Sequence, residues 1–250
     1  MAKKTDNKNQ IPIIFENDEI FVINKPAGIS VQGGAGISHP LDEEFSKQVG
    51  YKIYLVHRLD RETSGLMLVA KNPAAASKWI SLISSKAVKK EYTALCFGQP
   101  QVNGKIQKSG VIDSMVSRGK REQTALTYFT VEETKILEAK TENQSQNDEK
   151  SGLKDENQSQ NDESQSQKIT FSKIHLKLGS GRMHQIRIHL ASVGAPICGD
   201  DRHGNFKLNK IAKKAFKIKN LLLCSQILTI PGKNGKSLTF KIDLPSYFTF

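Results

Sequence analysis

The sequence predicts an α+β protein built on a mixed, mostly antiparallel sheet with flanking helices. Segments with strand composition outnumber helical ones, and several are joined by short turns, as is typical of antiparallel sheets. Apolar residues make up 37% of the chain and charged residues 25%, an ordinary balance for a globular protein. A chain of 250 residues fits one large domain or two small ones and can bury a substantial core.

The first part of the chain predicts a hairpin, a loop, a strand and a helix. Ile11–Phe15 and Ile20–Ile23 flank a short polar turn and predict a β-hairpin, which a glycine-rich loop follows. Leu66–Ala70 predicts a buried strand. An N-cap at Asn72, with proline directly after it, predicts a helix to about Ser84.

Further strands alternate with two helices in the rest of the chain. Strand composition marks five segments: Lys90–Phe97, Thr124–Val131, Lys168–Leu178, Leu221–Ile230 and Ser237–Leu244. Met183–Val193 predicts a helix that Gly194 ends.

The second helix is predicted from apolar residues at helical spacing: Leu208, Ile211, Ala215 and Ile218. The opposite face carries lysines, and we expect it to be solvated. Contact between that face and phosphate groups is the alternative.

Two segments are predicted to lack fixed structure. Residues 1–10 are polar and typical of a disordered tail. Residues 141–167 form an acidic insert of low complexity, in which ENQSQNDE occurs at Glu142–Glu149 and again at Glu156–Glu163. Such a tract cannot bury enough apolar surface to fold. We expect a solvated loop that joins two neighbouring strands and takes no part in chemistry.

The charge balance favours a polyanionic partner. The chain has 37 basic and 25 acidic residues, a formal net charge of +12 and a pI near 9.5. The insert contributes seven acidic residues against two lysines, so the basic excess belongs to the remainder. Basic side chains that neutralise phosphates release condensed counterions, which favours RNA. A lysine-rich composition that serves only solubility is the alternative.

The cysteines and the apolar runs indicate the compartment. Cys96, Cys198 and Cys224 are odd in number, widely spaced and without a C-x-x-C pair, so we expect neither a disulfide framework nor a zinc knuckle. No apolar run is long enough to span a bilayer, and residues 1–10 lack a secretory signal pattern. We therefore expect a cytoplasmic protein without a membrane segment.

Common catalytic motifs are absent from the sequence. The glycines between Gly33 and Gly36 lack the lysine of a phosphate-binding loop, and Ser64 does not lie in G-x-S-x-G. His184 and His189 miss the spacing of the H-E-x-x-H zinc motif. Metal, dinucleotide and serine-nucleophile chemistry are therefore disfavoured.

Two polar stretches remain as candidates for chemistry. HRLDRETSG (His57–Gly65) runs directly into the predicted buried strand, and GRMHQIRIH (Gly181–His189) opens a predicted helix. A carboxylate beside arginines on a loop held by a buried strand suits an active site. Taken alone, Asp60 could equally cap a turn or pair with Arg61, and Arg187 could be a surface arginine.

Together these motifs resemble the RluA-type pseudouridine synthases. HRLDRETSG is accompanied by NKPAG upstream and GRMHQIRIHLASVGAPICGD downstream. FENDEIFVINKPAG (Phe15–Gly28) is similar to the family's opening hairpin, and KKEYTALCFG (Lys89–Gly98) to its tyrosine-bearing strand. The resemblance runs from about Ile11 to the C-terminus, interrupted by the insert. It implies one catalytic domain, 11–250, with the pseudouridine synthase fold and a central RNA-binding cleft.

The resemblance implies three catalytic residues and no cofactor. Asp60 matches the essential aspartate, Tyr92 the tyrosine that stacks on the target base, and Arg187 the basic residue that pairs with the aspartate. Arg58 matches the arginine that fills the gap left by the flipped nucleotide. Neither a metal ion nor an organic cofactor is expected.

Further RNA contacts are expected around these residues: Lys25, Arg61, Arg182, His184 and Gln185. For His184 and Gln185, the competing interpretation is that they brace the catalytic loop.

Two shorter motifs indicate which RNA the resemblance implies as the substrate. VQGGAG (Val31–Gly36) and GDDRHG (Gly199–Gly204) are most similar to the RluC-like branch, which implies 23S (large-subunit) ribosomal RNA. The S4 module of many relatives is not found, and Met183 and His203 stand where Thr or Ser and Tyr are usual. A transfer RNA substrate is the first alternative, and we expect a monomer.

Two other functional classes remain open. A non-catalytic RNA-binding or ribosome-assembly protein could keep the fold, although it would not need Asp60, Tyr92 and Arg187. A glycosidase-like hydrolase would need Asp60 and Glu62 as a carboxylate pair across the scissile bond, which two positions on one loop do not favour.

Overall fold

The computed structural model describes residues 10–118, 121–140 and 166–249. The predicted tail and the acidic insert lie outside the described residues, except for Gln10 and for Ser166 and Gln167. In chain order the strands are β1 (Ile13–Glu16), β2 (Ile20–Lys25), β3 (Tyr54–Leu55), β4 (Ser64–Ala70), β5 (Lys89–Phe97), β6 (Gln101–Val102), β7 (Lys105–Ile106), β8 (Ser109–Arg118), β9 (Arg121–Lys140), β10 (Ser166–Leu178), β11 (Leu223–Pro231) and β12 (Ser237–Lys241). The helices are α1 (Leu41–Val49), α2 (Pro73–Ser84), α3 (Gln185–Ser192) and α4 (Phe206–Ala215).

A mixed sheet of ten strands organises the described residues. Its order is β1-β2-β4-β11-β5-β10-β9-β8, with β12 added to β11 and β3 to β4. Among its pairs, β4 and β11 run parallel and the others antiparallel. Strands β6 and β7 form a separate hairpin. The predicted mixed, mostly antiparallel sheet is confirmed.

Helices flank this sheet, as predicted, and the structure places them on both of its faces. Alternate residues of a strand point to opposite faces, and β4 is buried along its whole length. Met67 and Val69 join a core cluster with α1 and α3, whereas Leu66 and Leu68 join one with α2. Ala212 of α4 packs in a third cluster, with Leu95 and other side chains on the α2 face. The candidate site described below lies on the α1 and α3 face.

Local sequence signals explain the elements that were predicted. The β1–β2 hairpin and strand β4 form where expected. The Asn72 side chain accepts a hydrogen bond from the Ala75 amide, 2.8 Å away, and Pro73 is the first residue of α2. Strands β9 and β10 pair directly, with Lys140 opposite Ser166. The acidic insert therefore connects two neighbouring strands.

Helix α1, strand β8 and the two-residue strands β3, β6 and β7 were not predicted from the sequence. Helix α1 begins with three acidic residues in its first turn and ends at Gly50, which has a left-handed φ of 83°. Strand β8 buries Ile112 and Val116 but exposes Val111 and Met115. Apolar residues on both faces of β8 hide the alternation that normally identifies a strand.

The predicted helix boundaries near the C-terminus are partly wrong. Helix α3 begins at Gln185 and not at Met183, because His184 has a left-handed φ of 54°. Helix α4 ends at Ala215, whose side chain is exposed. Ile218 is buried beyond the helix end and does not extend its apolar face. No helix among the described residues is long and apolar enough to cross a membrane.

The junction between β4 and β11 depends on a glycine. Gly65 and Ser225 are register partners in the parallel pair, and Gly65 has a φ of +114°. A Cβ atom on Gly65 would lie 2.3 Å from the Ser225 carbonyl oxygen. The Ser225 hydroxyl donates to the Leu66 carbonyl at 3.0 Å. Glycine is therefore required where the candidate catalytic loop enters the sheet.

We expect Gly65→Ala to lower the free energy of unfolding by roughly 3 to 5 kcal/mol, because backbone strain and a steric clash act together. Gly50→Ala is the matched control, since Gly50 also has a positive φ but has open space around the Cβ position. The control should lose only about 1 to 2 kcal/mol. Urea unfolding of both variants measures the difference, and equal losses would contradict the close approach to β11.

Candidate active site

Three segments far apart in sequence form one pocket. They are the catalytic loop, defined here as residues 57–63, the strand β5, and the turn that leads into α3. The pocket has a volume of about 90 Å³. Its lining includes Arg58, Asp60, Thr63, Lys90, Tyr92, Arg182, His184, Gln185 and Arg187. The structure thus brings together the three residues predicted to be catalytic.

Asp60 lies at the centre of the polar part of this pocket. The buried side chain of Leu59 anchors the loop in the core, and the Thr63 amide donates to the Asp60 carbonyl at 3.1 Å. The Asp60 side chain is 20% exposed. One carboxylate oxygen, Oδ2, lies 3.5 Å from Arg187 Nη1, and the other, Oδ1, lies 3.8 Å from His184 Nε2. Asp60 is thus held between two nitrogen groups and stays accessible.

Arg187 has a second and closer carboxylate partner, Asp200. Its Nε and Nη2 atoms donate to the two Asp200 oxygens at 2.8 and 2.7 Å. Both side chains are buried. A bidentate pair of this kind fixes the plane of the guanidinium group. Nη1 remains directed at Asp60, so Asp200 determines where Arg187 meets the catalytic loop.

The protonation states follow from burial and from this pairing. Burial opposes the ionised form of Asp200, but hydrogen bonds from Arg187 and from the amides of His203 and Arg202 outweigh it and lower the Asp200 pKa. Burial also opposes the charge of Arg187, yet its contacts with Asp200 and Asp60 raise the Arg187 pKa. The guanidinium group is therefore permanently charged, and its positive charge stabilises the Asp60 carboxylate.

Sequence patterns did not identify Asp200 as a site residue. It lies in the GDDRHG segment, after α3, where the sequence offered two neighbouring aspartates and no reason to prefer one. Asp200 is buried and accepts from the amides of both Arg202 and His203, at 3.0 and 2.9 Å, whereas Asp201 is exposed. Burial separates the two, and it is a property of the tertiary structure.

Tyr92 forms an apolar wall of the pocket. It lies on β5 opposite Ser225 of β11 and is 6% exposed. Burial raises the Tyr92 pKa well above its ordinary value of 10.0, although a hydrogen bond with Ser225 works against the shift. The phenol is therefore neutral at physiological pH. Its ring can pack against a planar group that enters beside Asp60.

Lys25 does not occupy the position that was predicted for it. Its side chain is completely buried, and its ammonium group donates to the carbonyls of Pro26 and Arg61 at 2.8 and 3.0 Å. Burial lowers the Lys25 pKa to about 8, and the nearby Glu62 and Asp60 oppose the shift. Lys25 therefore ties β2 to the catalytic loop from inside and has no surface on which to contact RNA.

Gln185 is also committed to protein partners. Its amide nitrogen donates to the Leu126 carbonyl and the Thr127 hydroxyl at 2.9 and 3.0 Å. Its amide oxygen accepts from the Ser180 hydroxyl and the Arg182 amide at 2.8 and 3.0 Å. The structure favours the bracing interpretation of Gln185, because its hydrogen-bonding groups are already used.

The three predicted arginine contacts are exposed around the pocket. Arg58 and Arg182 line both the pocket and a wider groove that adjoins it. Arg61 is exposed, and its Nε donates to the Gly28 carbonyl at 3.1 Å. Lys90, which was not singled out from the sequence, also lines both spaces, and burial lowers its pKa.

His57, at the start of the catalytic loop, is structural. Its Nε2 accepts a hydrogen bond from the Leu68 amide at 3.0 Å. Burial and the nearby Lys90 lower the His57 pKa to about 3, so the ring is neutral at physiological pH. Within the described ranges, no group of three or more His, Cys, Asp or Glu side chains is arranged to hold a metal ion.

Comparison with known proteins identifies the family. The model of the RNA pseudouridylate synthase family matches residues 19–192. The ribosomal large subunit pseudouridine synthase C of Rickettsia bellii is 33% identical, over 94% of this chain and 69% of that protein. The protein of the same name in Haemophilus influenzae is 29% identical, over 93% of this chain and 65% of that protein.

Solved structures show the same fold. Human RNA Pseudouridylate Synthase Domain Containing 1 has a TM-score of 0.64 at 18% identity and covers 96% of this chain and 86% of that one. Human RNA Pseudouridylate Synthase Domain Containing 4 also scores 0.64, at 22% identity, with 95% and 90% covered.

The chain belongs to the RNA pseudouridylate synthase family. It is an isomerase that acts on RNA, and the resemblance found in the sequence motifs is confirmed.

We expect Asp200→Asn to lower the free energy of unfolding by roughly 3 to 5 kcal/mol, because it leaves Arg187 buried without its main partner. The folded-state pKa of Asp200 lies below its ordinary value of 3.8. Its stabilising contribution is therefore complete above that pH and is lost as the pH falls through the lowered pKa. Denaturant unfolding from pH 7 to pH 2.5 should show the variant and the wild type converging in acid.

Asp201→Asn is the matched control, since Asp201 is the exposed neighbour. It should change stability by about 0.5 kcal/mol or less at any pH. An Asp200→Asn variant as stable as the control at pH 7 would show that Asp200 does not hold Arg187.

Proposed function

We propose that this chain converts uridine to pseudouridine in large-subunit ribosomal RNA, with Asp60 as the catalytic carboxylate. The observation that carries the proposal is the position of Asp60, accessible at the pocket and 3.5 Å from a buried, permanently charged Arg187. An ionised carboxylate is the form that can act as nucleophile or base.

The pocket suits a single base taken out of its stack. Isomerisation breaks the bond between C1′ of the ribose and N1 of the base and forms a bond between C1′ and C5, while C5 loses a proton and N1 gains one. The whole nucleotide must therefore reach the pocket that holds Asp60. A base inside a helix cannot do so, and flipping it out costs a few kcal/mol. Tyr92 offers the flipped base a neutral aromatic surface beside Asp60. Exposed Arg58 at the mouth can occupy the space that the base leaves.

The wider groove gives the rest of the RNA a path to the pocket. It has a volume of about 1270 Å³ and lies between the end of α2 and strands β9 and β10. Six basic residues line it: Arg58, Lys86, Lys89, Lys90, Lys177 and Arg182. Tyr128, which is 45% exposed, lies among them and can stack on an unpaired base. Arg58, Lys90 and Arg182 border both spaces, so the groove and the pocket are continuous.

Ribosomal RNA is proposed because of the relatives. Those at 29 to 33% identity are named for the ribosomal large subunit, and they match over most of this chain. The fit of the site to a flipped uridine does not depend on this choice. A transfer RNA substrate would use the same chemistry, and cytoplasmic location and a monomeric state belong to the same proposal.

We expect Asp60→Asn to reduce pseudouridine formation by roughly 10³-fold or more, because it removes the reacting carboxylate and preserves the side-chain shape. Pseudouridine is mapped by carbodiimide sequencing of total RNA from cells that carry the wild type, the variant or a gene deletion. Glu62→Gln is the control, since Glu62 is 51% exposed and lies 3.9 Å from Arg187.

Sites lost in the deletion strain should return with the wild type and with Glu62→Gln, but not with Asp60→Asn. Their position gives the target, and sites in transfer RNA alone would contradict the ribosomal assignment. An unchanged map in the deletion strain would contradict the catalytic proposal and leave an RNA-binding protein.

We expect the triple variant Lys86→Gln, Lys89→Gln, Lys177→Gln to weaken RNA binding and to lower the slope of log K against log salt by about 2. Each lysine that neutralises a phosphate contributes one released counterion. The matched variant changes three exposed lysines of α4 instead: Lys210, Lys213 and Lys214. Filter binding from 50 to 300 mM salt compares them, and a larger loss from the α4 set would place the RNA along α4.

A further inference from the structure

Two histidines complete a closed ring of contacts around Asp60. His184 Nε2 lies 3.8 Å from Asp60 Oδ1, and His184 Nδ1 lies 2.8 Å from His203 Nε2. The His203 amide donates to Asp200 at 2.9 Å, and Asp200 binds Arg187, which returns to Asp60. Asp60 therefore has Arg187 beside one oxygen, at 3.5 Å, and the His184 ring facing the other, at 3.8 Å.

The backbone at His184 is shaped for this contact. His184 has a left-handed φ of 54° directly before α3, a conformation that costs a non-glycine residue about 1 kcal/mol. Its side chain is 13% exposed and lines the pocket. Strain of this kind persists where the surrounding contacts enforce it. At His184 these contacts include His203 Nε2, 2.8 Å from His184 Nδ1, and the Ile188 amide, which donates to the His184 carbonyl at 3.0 Å.

Beside the Asp60 carboxylate, the hydrogen bond between the His184 and His203 rings has one favoured donor and acceptor. A neutral imidazole has one N–H donor and one acceptor nitrogen. If His203 Nε2 donates to His184 Nδ1, then His184 carries its proton on Nε2 and presents it to Asp60. The reverse direction would aim a lone pair of His184 at the Asp60 carboxylate. The negative charge of Asp60 therefore selects the first arrangement.

The same geometry limits how many protons the pair can bind. A doubly protonated pair would place N–H groups on both His184 Nδ1 and His203 Nε2, and their hydrogen bond could not form. The charged groups that face the pair are Asp60, Asp200, Arg187 and Arg202. Burial is the main cause that lowers the pKa of both histidines below 6.5, with the arginines adding to the effect and the carboxylates opposing it.

We propose that His184 and His203 form a positioning pair, in which His203 fixes the tautomer of His184 so that its Nε2–H faces Asp60 opposite Arg187. The pair is uncharged at neutral pH. One added proton leaves the hydrogen bond between the rings intact, and the reaction loses rate in acid once a second proton separates them. This inference rests on the proposed function, because it assigns a role beside the same carboxylate.

The sign of the pH effect follows from the lowered pKa values. The folded protein resists protonation of both rings, so the intact arrangement persists below pH 6.5 and is lost as the pH falls through the lowered pKa values. His203→Phe removes the donor to His184 Nδ1. Neutral His184 can then take either tautomer, whereas protonated His184 carries the Nε2 proton in any case. We therefore expect the deficit in kcat to be largest at neutral pH and to shrink in acid.

The test measures kcat and KM for pseudouridine formation between pH 5 and pH 9. We expect His203→Phe to lower kcat about tenfold at pH 7 with KM changed less than twofold. His203→Tyr restores a hydroxyl donor and should recover most of the lost kcat. His39→Phe, which removes an exposed histidine before α1, is the control and should leave the pH profile unchanged.

A thermal melt of each variant separates this role from simple loss of folding. A His203→Phe protein that melts with the wild type and keeps its kcat at neutral pH would overturn the proposal. Equal loss of kcat in His203→Phe and His203→Tyr would overturn it as well, because a donor would then not matter.

Nitrogen NMR of the protein without RNA distinguishes this proposal from the function itself. Histidine ¹⁵N shifts should show His184 protonated on Nε2 at pH 7.5 in the wild type, and a changed tautomer in His203→Phe. A wild-type His184 protonated on Nδ1 would refute the pair even if the enzyme makes pseudouridine. If His184 has the expected tautomer but the protein makes no pseudouridine, the positioning pair is supported and the proposed function is refuted.

Discussion

The buried guanidinium group of Arg187 is the interaction on which the site depends. Three carboxylates converge on it: Asp200 in a bidentate pair, Asp60 at 3.5 Å and Glu62 at 3.9 Å. A buried arginine is strongly unfavourable without a partner, so Asp200 is required for Arg187 to be there at all. The geometry leaves one guanidinium nitrogen directed at the pocket. Asp60 thus faces a positive charge on Arg187, a side chain that is fixed in position and permanently protonated.

Other groups hold the catalytic loop in place on the side away from Arg187. Lys25 holds the loop through the Arg61 carbonyl from beneath, and His57 accepts from the Leu68 amide at its start. Gly65 allows β4 and β11 to approach closely enough for a parallel pair directly after the loop. These groups do not line the pocket that holds Asp60. They place the carboxylate of Asp60 by determining the path of the backbone around it, which is how rigid elements usually support a reactive side chain.

Local sequence patterns predicted most of the sheet and the catalytic loop. The features that they missed or misplaced have physical reasons. Asn72 and Pro73 define the start of α2 by capping, which needs no tertiary contact. Strand β8 was not predicted, because it exposes apolar side chains on its outer face. Lys25 was expected at the RNA because a lysine is normally exposed. Its burial depends on carbonyls that only the folded loop supplies, one of them 36 residues away.

The sequence by itself determined the family and the sheet, because these depend on short motifs and on local periodicity, and through the resemblance it predicted Asp60, Tyr92 and Arg187 as site residues. The tertiary structure determined which other side chains contact these three residues. Asp200 and Asp201 are equivalent in the sequence, and burial against Arg187 separates them. His184 and His203 are 19 residues apart and meet only because the left-handed turn before α3 brings the rings within 2.8 Å. Charge pairing and burial act through distances in space, and spacing along the chain does not encode them.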